Sequence, residues 1–303
     1  ALSQIDGELL RRYPDPTAAE FRALAGTLFE LPTDCFSVGN GSDHLLSLIM
    51  RAFVEAADRV AYPWPTYVLY KTLADLEAAI ATPINFNESF DLPVDELIQT
   101  QAKVTFIASP ASPSGTQIPL QTLETLACAL SGLLVIDEAY VDFVQESALD
   151  LVRRYENVVI LRTLSKGYSL AGLRLGFAIA QPPVIHAINQ VKDSYSVDAI
   201  ACRLGTVALE DQAHKNQNAE RVRQSRDRLR QQLETLGFRI WPSVTNFLWT
   251  HPPSNAQNLT AALKQENIYI RHFNLPGLND KVRISVGTDE QNARLIQALG
   301  KLV

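Results

Sequence analysis

The chain has 303 residues, of which 47% are hydrophobic and 20% charged, values of an ordinary folded protein with material for one large domain or two moderate ones. That composition excludes gross disorder, a fibrous repeat and a disulfide-stapled miniprotein. The 27 basic and 33 acidic residues leave a net charge of -6, which argues against a surface built for polyanions.

The longest charge-free stretches, residues 104–123 and 240–263, are broken by Pro110, Pro113, Pro119, Pro242, Pro252 and Pro253, so neither reads as a transmembrane helix. Cys35, Cys128 and Cys202 form no CxxC pair; reduced, mostly packed thiols and a cytoplasmic location are expected. No basic-then-apolar leader opens the sequence, and Ala1 in place of an initiator methionine suggests that the gene product extends further.

In chain order, short β-branched runs alternate with segments of helical period, the signature of an α/β fold. A helix is predicted over 43–56, with Ser42 or Asp43 as its cap. Nearly continuous apolar runs predict strands at 59–62, 79–84, 104–108, 133–136, 158–162 and 175–180, suited to burial on both faces. A second helix is predicted over 120–130. Beyond Pro183 the texture turns helical, and 214–236 carries Arg221, Arg223, Arg226, Arg228 and Arg230. Glu220, Asp227 and Glu234 interleave with these and no aromatic residue is present for base stacking, so a solvated helix face, and no nucleic-acid partner, is expected. Strands at 238–241, 246–249, 268–271 and 282–286 and helices at 256–266 and 290–302 complete a smaller α+β unit. The expected division is 1–200 and 201–303.

Three segments carry candidate chemistry. Thr163-Leu164-Ser165-Lys166 places a lysine just after an apolar strand, with Arg174 following. Such an amine is either surface decoration or, in a dry cleft beside other cations, a Schiff-base former. Leu133-Leu134-Val135-Ile136-Asp137 ends a buried strand in a carboxylate, which needs a partner: an arginine, a helix end, a protonated ring nitrogen or a metal. His44, His186, His214, His251 and His272 are scattered, so a metal site is not expected. Val38-Gly39-Asn40-Gly41-Ser42-Asp43 is a glycine turn feeding a helix, whose free amides can bind an anion, although it is neither a Walker A loop nor a GxGxxG fingerprint. One aldehyde cofactor needs all three features: an amine for its aldehyde, an anion for its pyridinium and donors for its phosphate.

With Arg12-Tyr13-Pro14-Asp15-Pro16, Pro65-Thr66-Tyr67, Asp137-Glu138-Ala139-Tyr140, Leu170-Ala171-Gly172-Leu173-Arg174 and Val282-Arg283-Ile284-Ser285 in the same order, the sequence resembles the fold type I pyridoxal-phosphate enzymes, most closely the histidinol-phosphate aminotransferase family. The resemblance implies a large cofactor-binding domain with a mostly parallel central sheet, a smaller C-terminal α+β domain, and pyridoxal 5'-phosphate as cofactor. It implies that Lys166 forms the Schiff base, that Asp137 pairs with the pyridine nitrogen and that Tyr140 hydrogen-bonds the ring oxygen. Tyr67 would stack on the ring, while Ser42, the backbone amide of Asp43, Thr163, Ser165 and Arg174 would surround the phosphate. Tyr13 resembles the tyrosine lent to a neighbouring subunit's phosphate, which implies a homodimer with shared active sites. Arg283 resembles the receptor of the substrate's acidic group, and Arg271 an arginine that assists with the substrate phosphate.

One departure stands out. Where the family reads Asn-Pro-Asn-Asn-Pro-Thr-Gly, this chain has Ser109-Pro110-Ala111-Ser112-Pro113-Ser114-Gly115, so Ser112 replaces the asparagine expected to reach the ring oxygen; a hydroxyl donates but reaches less far. The further N-terminal residues that help close the family's substrate pocket are also not seen. The implied reaction is transfer of an amino group from histidinol phosphate to 2-oxoglutarate, two small-molecule substrates. Competing expectations are an aromatic or other amino-acid transaminase, a decarboxylase of a phosphorylated amino acid, and a regulator that kept the fold without turnover; the 303 residues contain no basic helix-turn-helix segment that would favour the last.

Overall fold

A computed structural model describes residues 2–87 and 89–303; Ala1 and Glu88 lie outside the described residues. The first part of the chain forms α1 (Gly7–Leu10), α2 (Ala19–Phe29), β1 (Phe36–Asn40), α3 (Gly41–Phe53), β2 (Arg59–Trp64), α4 (Leu69–Leu76) and β3 (Ile80–Asn85). It continues through α5 (Val94–Gln99), β4 (Val104–Ala108), α6 (Leu120–Ala129), β5 (Leu133–Asp137), α7 (Leu149–Arg154), β6 (Val158–Thr163) and β7 (Leu175–Ala180). Helices α8 (Pro182–Gln190), α9 (Ala199–Glu210) and α10 (Gln212–Thr235) lead to β8 (Arg239–Ile240), β9 (Phe247–His251), α11 (Ala256–Gln265), β10 (Arg271–His272), β11 (Val282–Ser285) and α12 (Asp289–Leu299).

Seven strands form one sheet in the order β1-β7-β6-β5-β4-β2-β3. The β3-β2-β4-β5-β6 block is parallel, and β7 runs antiparallel to both β6 and β1. Strands β4, β5 and β7 are buried at every position, as expected where helices cover both faces. Two apolar clusters account for this. One, with Phe21, Phe36, Ile107, Ile136, Ile160 and Phe177, lies on one side; the other, with Leu45, Ile49, Tyr70, Phe106, Val135 and Leu161, lies on the other. Alternation of Phe106 with Ile107 and of Val135 with Ile136 between clusters is the two-residue period of a strand. The run at β3 is the exception: it sits at the sheet edge and alternates in exposure.

The second sheet, β10-β11-β9-β8, is antiparallel and packs Leu248, Val282 and Ile284 against Leu229, Leu233, Leu263 and Leu295 of the helices. Helix α9 belongs with the first core, since Ala201 and Leu209 are members of it. Strand β1 was not predicted, because its Phe36-Ser37-Val38-Gly39-Asn40 run is short and Gly-containing. The predicted cap of α3 is also corrected: the helix opens at Gly41 after Asn40, without a side-chain cap bond, so Ser42 and Asp43 occupy its first turn. No described helix is long and apolar enough to cross a membrane.

Just past β5, Glu138 is 3% exposed. It accepts from Arg162 Nε of β6 (3.0 Å), Ser147 Oγ (3.0 Å) and the Ala148 amide (2.7 Å), and the guanidinium lies 5.0 Å from the Phe29 ring centroid. Removing one partner of a buried pair leaves the other charge uncompensated, at a cost of about 3 to 5 kcal/mol, whereas removing both charges is far milder. Arg162→Met should therefore lower the urea unfolding midpoint strongly, and adding Glu138→Gln to it should recover much of the loss.

Candidate active site

At the carboxyl edge of the parallel strands the turns after β2, β4, β5 and β6 leave the sheet side by side, and β1 runs parallel to these strands through β7. Asn40 at the end of β1 pairs with Leu175 at the start of β7, which brings the Gly41-Ser42-Asp43 helix start beside Arg174. The edge of an α/β sheet is where ligands bind, because strand ends and helix starts converge there. A cleft of about 210 Å³ opens at this edge, lined by Ser42, Asp43, Tyr67, Ser112, Asp137, Tyr140, Thr163, Ser165, Lys166, Arg174 and Arg283 together with four smaller residues. Eleven of the thirteen residues singled out from the sequence thus share one pocket.

Asp137 closes the floor. Tyr70 Oη donates to its Oδ2 (3.0 Å) and the Ala139 amide to its Oδ1 (3.1 Å). Burial nevertheless outweighs these two bonds and pushes the carboxyl up to about 6, with Asp43 adding to the rise and Lys166 opposing it. Tyr70 was not singled out from the sequence. It is fully buried on α4, its ring stacked on Phe106 at 4.8 Å, and a buried phenol requires a polar partner.

Lys166 faces this carboxylate from the turn after β6, its Nζ 5.5 Å from the Tyr140 ring centroid. Burial, and then the Arg283 guanidinium, lowers the lysine's pKa, so its amine sheds a proton more readily than an exposed one. Tyr140 is raised by burial, partly offset by Arg283, and meets Phe247 edge-on at 5.1 Å. Tyr67 Oη donates to Asp43 Oδ1 (3.2 Å); burial and that carboxylate push it up to about 12.

The anion-competent corner is built from the α3 start and Arg174. The guanidinium lies 3.6 Å from Asp43 Oδ2 and its Nη1 donates to Ser165 Oγ (3.4 Å), while Thr163 Oγ1 donates to the same hydroxyl (2.9 Å). Gly41 has φ +77, and a Cβ there would meet Arg174 Nη2 at 2.6 Å. At Gly176 a Cβ would lie 2.5 Å from the Ser42 amide nitrogen. Both glycines let backbone approach this corner.

Arg283 reaches in from β11. Its Nη1 donates to Ser112 Oγ (3.0 Å), and its guanidinium covers the Phe247 ring at 4.8 Å. Ser112 is thus engaged with an arginine across the two sheets, a partner that spacing did not reveal. Arg271 and Tyr13 lie outside the pocket lining. Arg271 stands directly opposite Arg283 in the β10–β11 ladder, on the same face, with its guanidinium 5.5 Å from Phe273. Tyr13 is 81% exposed and stacks on Tyr195 at 4.5 Å.

An amine of lowered pKa facing a buried carboxylate held by two neutral donors, beside a phosphate-sized basic corner, suits one aromatic aldehyde phosphate. Residues 1–299 match the family model described as aminotransferase class I and II. The chain belongs to this family. It is a pyridoxal-phosphate-dependent transaminase acting on small molecules. Histidinol-phosphate aminotransferase 1 of Trichormus variabilis is 55% identical over 304 residues, spanning 100% of this chain and 87% of the relative. The histidinol-phosphate aminotransferase of Synechocystis sp. is 40% identical over 304 residues, 99% of this chain and 87% of the relative. Among solved structures, the histidinol-phosphate aminotransferase from Sinorhizobium meliloti in complex with pyridoxal-5'-phosphate has a TM-score of 0.91 at 24% identity, covering 98% of this chain and 85% of that one. L-threonine-O-3-phosphate decarboxylase from Porphyromonas gingivalis has a TM-score of 0.87 at 22% identity, with 97% and 91% covered. The last two are likenesses of fold, here the fold type I architecture.

The residues present fit the cofactor: Asp137 is a buried carboxylate held by two neutral donors, and the close approaches at Gly41 and Gly176 set the start of α3 beside the Arg174 guanidinium. Because the carboxyl is raised from 3.8 to about 6, the folded cofactor-free chain holds a proton across that window that the unfolded chain has released. This group therefore costs stability as pH rises from about 4 to 6. Asp137→Asn should melt higher than the parent at pH 7 without cofactor, with the gap closing toward pH 4. Adding pyridoxal phosphate at pH 7 should reverse the order, as read by differential scanning calorimetry.

Proposed function

We propose that this transaminase takes the amino group of histidinol phosphate and gives it to 2-oxoglutarate, forming imidazole acetol phosphate and glutamate in histidine biosynthesis. The reading rests above all on one pocket that holds Lys166, Asp137, Tyr140, Arg174 and Arg283 together, in a chain whose relatives carry that name. Two separate guanidinium groups allow a cofactor phosphate and a substrate acid to be held at once.

The cofactor supplies an aldehyde that carries the amino group and a ring that accepts electrons. In this reading Lys166 holds the aldehyde carbon, Asp137 the ring nitrogen, and Tyr140 and Ser112 the ring oxygen. Tyr67 covers the ring face; Ser42, the Asp43 amide, Thr163, Ser165 and Arg174 hold the phosphate. Once freed, Lys166 Nζ moves the proton at the substrate's amine-bearing carbon, an act that needs the neutral amine its burial favours. Arg283 orients the substrate acid, and Arg271, on the same sheet face, assists with the substrate phosphate.

The proposal extends to a homodimer in which Tyr13 reaches the neighbouring subunit's phosphate site; its 81% exposure and stacking on Tyr195 leave it available for that. It also extends to two functional units, divided near residue 200 from sequence and here moved to the α9–α10 junction, because α9 packs with the first core. Three free cysteines, one of them exposed, favour a reducing, cytoplasmic setting.

Absorption spectra of the holoenzyme, taken before and after histidinol phosphate is added without a keto acid, test the donor. The expected result is loss of the visible cofactor band and growth of the pyridoxamine phosphate band, both absent in Lys166→Ala. A visible band indifferent to histidinol phosphate but bleached by an aromatic amino acid would overturn the donor assignment; release of carbon dioxide would favour decarboxylation instead. Shared sites predict that Tyr13→Ala and Lys166→Ala chains, each weak or inactive alone, regain activity when co-refolded, since one site of the mixed dimer is then intact.

A further inference from the structure

Tyr140 and Lys166 sit on different turns. The last paired positions of their strands are Asp137 and Leu161, so sheet hydrogen bonding does not fix how the two turns lie relative to each other beyond that point. What lies between them is Asp142, packed so closely on Gly167 that a Cβ there would come 2.2 Å from the Asp142 Cβ. Asp142 is on the 3-10 turn Val141–Phe143 that directly follows Tyr140.

The first turn of α10 grips both segments. Lys215 Nζ donates to Asp142 Oδ1 (3.3 Å), with side chains only 14% and 8% exposed, and lies 5.6 Å from the Tyr168 ring centroid. Gln212, three residues earlier and so on the same helix face, donates Nε2–H to Tyr168 Oη (2.8 Å). Neither Lys215 nor Gln212 lines the catalytic pocket. A largely buried charge pair at this spot is an expensive way to stabilise a fold, because apolar side chains would do as well. It does, however, fix an orientation.

We propose that Lys215 is a positioning residue: through Asp142 and Tyr168 it holds the Tyr140 and Lys166 turns in the mutual geometry that the reaction requires. The inference rests on the roles proposed above for Tyr140 and Lys166. Without its cation, Asp142 would present an uncompensated negative charge to the Lys166–Gly167 turn. That charge would add to the groups already facing Lys166: Arg283 from β11, Asp43 from α3, Asp137 from β5 and Arg174 from the turn before β7. The protonated form of the Lys166 nitrogen would be favoured, and the pH midpoint of the cofactor band would rise.

The test compares the parent holoenzyme with Lys215→Met, Lys215→Arg and the charge-free double variant Asp142→Asn/Lys215→Met, which keeps the fold if the single variant does not. Turnover by the parent shows that the reading of the site holds, so a failure of the variants to differ is a failure of this inference alone. Lys215→Met should lose about tenfold in kcat, with KM for both substrates within twofold. Its cofactor band should titrate at least half a pH unit higher, and Lys215→Arg should restore both. The double variant should keep the low kcat with a smaller midpoint shift. Parent-like kcat and midpoint in Lys215→Met, or a loss that follows only a lowered melting temperature with the band titration unmoved, would overturn the proposal.

Discussion

A carboxylate buried at the end of β5 and held by two neutral donors organises this molecule. Asp137 is 6% exposed, and its two hydrogen bonds do not offset the burial that raises it to about 6. Such a group costs the folded chain stability at neutral pH. The strand that delivers Asp137 is central and apolar throughout, so the charge cannot retreat to solvent. Tyr70 and the Ala139 amide then fix the two oxygens, and in the proposed reading a pyridinium would be the cation they face. Lys166 faces Asp137, its own pKa lowered by burial and then by Arg283.

The same edge of the sheet solves a second electrostatic problem, that of gathering cations without scattering the fold. Arg174 is countered by Asp43 at the α3 start, and Arg283 is held by a neutral hydroxyl and an aromatic face. In the proposed reading the first corner would exchange its 3.6 Å ion pair for a phosphate. Among the described residues the second sets no carboxylate against the guanidinium, which in the proposed reading would leave its charge for a substrate acid. A chemical distinction between the two anion sites thus follows from what each arginine touches.

Much of this was legible in the sequence because strand ends are local. An apolar run followed by Asp137, or by Thr163-Leu164-Ser165-Lys166, carries both the element and its chemical terminus within nine residues, and parallel strands bring such termini to one edge. What was not legible is contact between segments far apart in the chain. Tyr70 meets Asp137 across 67 residues, Arg283 meets Ser112 across 171, and Lys215 meets Asp142 across 73. None leaves a spacing signature, since each depends on how helices and the second sheet pack. Strand β1 was missed for a related reason: its partner, β7, supplies the burial that its short run does not announce.

These long-range contacts share one property. Arg283 to Ser112, Lys215 to Asp142 and the Val244 amide to the Gly115 carbonyl (2.8 Å) each join the last hundred residues to a turn at the carboxyl edge of the first sheet. Those turns carry Ser112 and Tyr140, and leave the sheet where its hydrogen bonding ends. A second unit that only capped the cleft could do so with apolar contacts alone. Polar ties to the turns do more, because a directional bond fixes an angle where an apolar contact fixes only a distance. The C-terminal part of the chain thereby becomes part of how the turns that line the cleft are held.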